Sequence, residues 1–212
     1  MSTLLGCAPV NKRRVFFSFH YQNDIFRANQ VRQSWRYRHD ETRKSEGFFD
    51  GSLWEKSKRT SDDSLKELIR SGIEGTSVTC VLVGSETYLR RWVRYEIARS
   101  IVKGNGLLTV KINNLSNQHR QTSLEGPNPL DFIGVYRDDR GNIRLAEIKN
   151  QAQWHEYSDY TYAVKLPVTW RQPTYNSVIE LSSYAQSYCY IQDGGTENFA
   201  AWVRQAAANV GR

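Results

Sequence analysis

Glu96 stands one helical turn after Trp92 in the run Gly84-Ser85-Glu86-Thr87-Tyr88-Leu89-Arg90-Arg91-Trp92-Val93-Arg94-Tyr95-Glu96-Ile97. Val93, Ile97 and Ile101 recur at four-residue spacing and should face a sheet, which leaves Trp92 and Glu96 sharing the adjacent edge of the helix. A carboxylate beside a large aromatic near strand ends has two catalytic uses. Desolvation can raise its pKa so that it holds a proton at neutral pH, or its charge can stabilise a cation. The same spacing also fits a surface glutamate pairing with Arg94 or Arg99. What the helix packs against decides between them.

The elements that would position such a residue are legible around it. Val15-Phe16-Phe17-Ser18-Phe19-His20-Tyr21 is a strand-like run that breaks into Gln22-Asn23-Asp24. A buried parallel strand ending this way opens its carboxyl end onto a loop, where open α/β sheets bind ligands. Ser18, Phe19 and His20 stand at that end, and a strand end packed in the core is the competing reading for the first two. A helical pattern covers Asp24 to Tyr37, and Gly47 to Trp54 reads as a short second strand entering a loop. Thr60-Ser61-Asp62-Asp63 is a capping signature for a helix with Leu65, Leu68, Ile69 and Ile73 in its stripe, ending near Gly72 or Gly75. Val78–Val83 is the third strand, about Tyr88 to Lys103 the next helix, and Leu107–Ile112 the fourth strand. This alternation predicts an α/β fold, a doubly wound parallel sheet with helices on both faces.

Past Asn114 the alternation stops. Asn117 to Pro129 reads as loop, and Ile133–Tyr136 and Ile143–Ile148 flank Asp138-Asp139-Arg140-Gly141-Asn142 as a hairpin. A final helix spans Glu197 to Ala208. The expected organisation is a lead-in over 1–12, one domain over 13–175 and a C-terminal extension over 176–212 packed on it.

Composition narrows the classes. The chain has 212 residues, 39% of them hydrophobic and 24% charged, enough for one sizeable core. No stretch approaches the roughly 20 apolar residues of a membrane helix. Leu4-Leu5-Gly6-Cys7 looks like a lipoprotein cleavage box but has only three residues before it, so a loosely packed lead-in is expected. Cys7, Cys80 and Cys189 are odd in number and far apart, which supports neither a disulfide framework nor a zinc site and fits a cytoplasmic protein. Cys80 reads as a small core residue. The net charge of +7 and the cluster Arg32, Arg36, Arg38, Arg43, Lys44, with Lys56, Lys58 and Arg59 beyond, raise nucleic acid as a partner; such clusters are more often solvated faces or anion-attracting surfaces.

Arg14 to Tyr21, followed by a short polar step into a helix, resembles the opening of TIR domains, in particular the TIR-like proteins of the Thoeris anti-phage defence family. The spacing Ser85-x-x-Tyr88-x-x-x-Trp92-x-x-x-Glu96 is similar to the motif in which TIR enzymes carry their catalytic glutamate. Leu130 to Tyr136 and Trp154-x-x-Tyr157-x-x-Tyr160 resemble the later part of that group, so the similarity runs from about Arg14 to Val168. Two positions depart from the usual TIR pattern. Val93 stands where a small residue or cysteine follows the tryptophan, and His20 stands in place of a charged loop with an arginine.

The resemblance implies a flavodoxin-like fold and cleavage of the nicotinamide–ribose bond of NAD+, with an ADP-ribose product that is cyclised into a signal. It implies Glu96 as the catalytic residue, and Ser18, Phe19, His20, Phe49, Asp50, Ser85 and Trp92 as substrate-binding. Ser85 also fits an ordinary helix cap, and a buried strand is the competing reading of Phe48, Phe49 and Asp50. NAD+ enters as substrate, with no separate cofactor and no metal. Self-association on activation, a phage trigger and a separate effector that receives the signal are the implied partners. A non-catalytic TIR-like scaffold and a nucleic-acid binder remain the alternatives.

Overall fold

The computed structural model describes residues 14–37, 45–46, 61–149 and 153–212. The basic residues between 38 and 44 and between 56 and 59, the expected strand over 47–54, and Phe49 and Asp50 lie outside the described residues.

The centre is a five-stranded, all-parallel sheet of β1 (Val15–Ser18), β2 (Ser45–Glu46), β3 (Val78–Val83), β4 (Gly106–Lys111) and β9 (Gln186–Cys189) in the spatial order β2-β1-β3-β4-β9. This is the flavodoxin-like order, in which chain direction across the sheet reverses between β1 and β3 and leaves a crevice at their carboxyl ends. The β1 and β3 side chains are buried along their whole length, as a strand covered on both faces requires.

One face is covered by α1 (Tyr21–Tyr37) and α4 (Gly195–Ala208), whose Ala28, Val31, Trp35, Phe199, Trp202 and Val203 pack on Phe17, Cys80, Leu82 and Val110. The other face carries α2 (Asp62–Ile73) and α3 (Arg91–Lys103). Ser61 caps α2 by accepting from the Ser64 amide at 3.1 Å, Asp62 and Asp63 sit in its first turn, and Leu65, Ile69 and Ile73 form its buried stripe against Phe16 and Tyr95. Gly104, in the left-handed region at φ +72°, stops α3.

A second sheet follows, antiparallel and four-stranded: β5 (Ile133–Arg137), β6 (Ile143–Lys149), β7 (Gln153–Glu156) and β8 (Val178–Glu180), in the order β7-β6-β5-β8. The expected hairpin is its centre. Its inner face meets α3, so Val93, Ile97 and Ile101 lie among Val81, Val83 and Leu107 of the central sheet, Val135 and Leu145 of the second, and Tyr157 just after β7. The helix that carries Glu96 is therefore enclosed by two sheets.

Several boundaries differ from expectation. β1 stops at Ser18 and α1 already begins at Tyr21, with the Asp24 amide bonded to the His20 carbonyl at 2.9 Å. The stretch expected as one helix from Tyr88 divides into a 3-10 turn, Thr87–Leu89, and α3. The parallel alternation, expected to end near Asn114, resumes with β9 and α4, which complete the central sheet and one of its faces. Among the described residues, no helix is long and apolar enough to cross a membrane.

Candidate active site

Alternation along β1 decides which residues face α3. Phe17 turns toward α1 and α4, whereas Phe16 and Ser18 turn toward α2 and α3. Ser18 is the last residue of the strand and is fully buried. Its hydroxyl donates to Glu96 Oε2 at 2.5 Å, joining residues 78 positions apart. Glu96 is 5% exposed and bonds to Ser18 rather than to Arg94 or Arg99, so the surface-pair reading is not what the chain adopts.

Burial pushes the Glu96 carboxyl up to about 8, with the Ser18 hydrogen bond pulling in the opposite direction. Water solvates a carboxylate far better than a protein interior does, so burial favours the protonated form of the group at neutral pH. A proton-bearing carboxyl at the carboxyl end of β1, beside the β1/β3 crevice, can serve as an acid, as a donor to hydroxyls, or as the anion that faces an incoming positive charge.

The polar groups around this pair come from the loops after β1 and β3. His20 is buried, and its Nδ1 lies 3.9 Å from Glu86 Oε2. Glu86 also accepts from Asn23 Nδ2 at 3.0 Å and from Arg90 at 2.9 Å. It thereby joins the start of α1 to the residue that opens the Glu96 helix. Asp24 packs so closely that a Cβ on Gly84 would lie 2.2 Å from its Oδ2. Burial raises the Asp24 carboxyl above its ordinary range against the pull of Arg27, 3.3 Å away. Arg27 in turn donates to the Leu115 and Gln121 carbonyls, which holds the 113–126 loop over the same sheet edge. Gly126 sits on the Gly84 and Ser85 carbonyls without room for a side chain.

The remaining expected residues are less centrally placed. Phe19 faces the α1 side and stacks on Tyr21 with ring centroids 6.2 Å apart. Trp92 packs edge-on to Tyr95 at 6.0 Å in the cluster shared with α2. Ser85 is half-buried and caps no helix: the residue preceding the 3-10 turn is Glu86 and that preceding α3 is Arg90. Glu86, Asn23 and the Asp24–Arg27 pair were not expected. Glu86 and Arg90 do stand at i,i+4, and Asp24 and Arg27 at i,i+3, but such spacings are common on solvated helix faces and point to no site by themselves. Among the described residues, no group of three or more His, Cys, Asp or Glu gathers as metal ligands.

A flavodoxin-like sheet whose first strand ends against a buried glutamate on the helix after the third strand defines a TIR-like domain. The family model for the Thoeris protein ThsB, TIR-like domain, matches residues 16–117, which span β1 to the loop after β4. Over 196 residues, 90% of this chain and 98% of the relative, the sequence is 43% identical to a candidate cyclic ADP-D-ribose synthase, ThsB1, of Bacillus cereus strain MSX-D12. The chain belongs to the Thoeris ThsB family of TIR-like proteins.

Proposed function

We propose that this protein cleaves the bond between nicotinamide and ribose in NAD+ and closes the ADP-ribosyl product into a cyclic nucleotide signal for anti-phage defence, with Glu96 as the catalytic residue. The name carried by the 43%-identical relative supports the activity. The observation that carries the assignment of Glu96 is its burial against Ser18 at the carboxyl end of β1.

In the reaction the C1′–N bond breaks and its electron pair goes to the pyridinium nitrogen, so nicotinamide leaves neutral and the ribose gains oxocarbenium character. Glu96, which releases its proton to solvent as the cationic end of the substrate enters, supplies the compensating negative charge. An oxygen or nitrogen of the same nucleotide then bonds to C1′ and gives up a proton if it carries one; water attacking instead yields linear ADP-ribose. Exclusion of water favours ring closure, and Glu96 is itself only 5% exposed. Ser18 orients the carboxyl group, while His20, Ser85, Trp92 and Phe19, with Phe49 and Asp50, would contact the nucleotide. Self-association, a phage trigger and a separate effector complete the reading.

Incubation with NAD+, alone and in infected-cell lysate, with products resolved by mass spectrometry, tests it. Wild type should release nicotinamide and form an ADP-ribose-derived product, and Glu96→Gln should lose at least about 100-fold in turnover with its fold intact. Undiminished turnover in Glu96→Gln rejects the assignment. NAD+ left untouched under both conditions favours a scaffold.

A further inference from the structure

The second sheet has no part in the chemistry just described, yet it supplies two acidic groups to the helix that carries Glu96. We propose that Asp159 and Glu147 are positioning residues that fix α3 in the register Glu96 needs to meet Ser18. The inference rests on the catalytic reading of Glu96 given above.

The opening of α3 has an unusual charge pattern. Helix N-termini favour acidic residues and disfavour basic ones, because the unpaired amides there carry partial positive charge. α3 has no acid in its first turn and no side-chain cap, and it opens on Arg90 and Arg91 with Arg94 one turn on. Local helix stability does not explain these arginines. Arg90 has Glu86 four residues before it; for Arg91 and Arg94 the acids come from elsewhere in the chain.

Asp159, in the turn after β7, takes Arg91 at two points, Nε at 2.9 Å on one oxygen and the terminal nitrogen at 2.8 Å on the other. A two-point arginine–carboxylate contact fixes angle as well as distance. The same carboxylate holds Lys66 of α2 at 2.9 Å, and Arg91 reaches back to Asp62 of α2 at 2.6 Å. One side chain from the second sheet's loop thus ties together the openings of both helices on that face. Its side chain is 11% exposed, and Arg91 holds its carboxyl down at about 2, which keeps it ionised.

Glu147 on β6 brings a second acid to α3 one turn along, by proximity of charge rather than by a two-point hydrogen-bonded contact. Its side chain is 4% exposed and lies 3.5 Å from Arg94 Nε and 2.7 Å from Lys149. Exposed ion pairs contribute little; here Arg91 and Lys149 stay 46% and 44% exposed, but the two carboxylates are largely buried, and a buried carboxylate left without its cation is costly.

Such fixing is needed at the opening of α3, because the directional contact of this helix with the central sheet beyond Glu96, the buried Ser100–Thr79 hydrogen bond at 2.6 Å, lies one turn further on. Val93, Ile97 and Ile101 pack against two sheets through contacts that carry no direction and tolerate small slides and rotations. The Ser18–Glu96 hydrogen bond does not tolerate them. The clamp supplies direction at the opening of α3, as the Ser100–Thr79 bond does one turn beyond Glu96.

The test uses the full chain with Asp159→Asn, Asp159→Glu, Glu147→Gln and Arg91→Lys, the last keeping the charge but losing two-point geometry. NAD+ turnover is measured beside a titration of the Glu96 carboxyl by NMR on protein with 13C-labelled glutamate, assigned with Glu96→Gln. Asp159→Asn should lower kcat about tenfold with KM within about twofold, because the bound substrate meets a misplaced carboxyl group. Asp159→Glu should recover part of that loss. The Glu96 titration should move down toward the ordinary carboxyl range as water reaches the group, and Glu147→Gln and Arg91→Lys should move it the same way by less. Wild-type kcat together with a wild-type Glu96 titration in folded Asp159→Asn overturns the inference, and if that variant fails to fold, the same result in Arg91→Lys does so. The titration needs no turnover, so an NAD+-inert wild type would reject the proposed activity while the carboxyl signal still decides the positioning role.

Discussion

Ser18, at the end of the first strand, and Glu96, in the third helix, are joined by a 2.5 Å hydrogen bond although 78 residues of chain separate them. The bond has an energetic direction. The serine hydroxyl donates, so it favours the ionised form of the carboxyl, whereas burial favours the protonated form and prevails.

Removing the hydroxyl therefore has a predictable sign. In Ser18→Ala the carboxylate loses a charge-assisted hydrogen bond worth about 1.5–3 kcal/mol, and the free enzyme needs a higher pH to ionise Glu96. With the ionised form as the active one, kcat/KM of wild type should climb with pH to a plateau above about 8, and in the variant that limb should move to higher pH. At pH 7 kcat/KM should fall by about tenfold or more. Initial-rate measurements across pH on both proteins check this, and a limb that does not move would separate Ser18 from the ionisation of Glu96.

A second consequence appears without substrate. Glu96 titrates at about 8 in the folded chain against an ordinary value of 4.5, so between those pH values the native state keeps a proton that the unfolded chain has released. Stability from this group is fully present below the lower value and is lost as pH rises through the window, by about 1.4 kcal/mol per pH unit, levelling off beyond the upper value. Glu96→Gln lacks this loss. Denaturant melts from pH 4 to 9 should show the variant gaining on wild type as pH increases and then running parallel. A constant difference would mean that the carboxyl group titrates normally.

How much of this was legible in the sequence varies by element, for physical reasons. Val78–Val83 was read to the residue because a strand covered on both faces has to be apolar throughout. Ser61 announced α2 because a cap acts through neighbours in sequence. β9 gave no such signal. Gln186–Cys189 is a half-exposed edge strand held by backbone pairing with β4, and backbone pairing imposes little on side-chain type. Glu96 could be singled out by its spacing from Trp92, but its burial against Ser18 depends on a strand 78 residues earlier, and nothing local to the helix states which strand it packs on. Glu86 was missed for a related cause: its partners are Asn23 in the first turn of α1 and His20 just before it, and only the fold brings them together.

The last prediction concerns the far end of the sheet, where α4 lies on β4. A Cβ built on Gly106 would fall 2.0 Å from the Ala206 carbonyl oxygen and 2.5 Å from its carbon, both backbone atoms in the middle of a turn of α4. A flexible side chain could swing aside, but helix backbone cannot move without carrying Val203, Ala206 and Ala207 out of the core they fill against β3 and β4. Gly106→Ala should therefore destabilise the protein by about 1–3 kcal/mol, the range for overpacking a filled interior. Because α4 covers the face opposite Glu96, the damage should appear in the denaturation midpoint while the Ser18–Glu96 pair keeps its geometry. Denaturation of Gly106→Ala followed beside kcat/KM at a temperature where the variant remains folded tests both halves, and a variant as stable as wild type would show that α4 is seated more loosely than this contact requires.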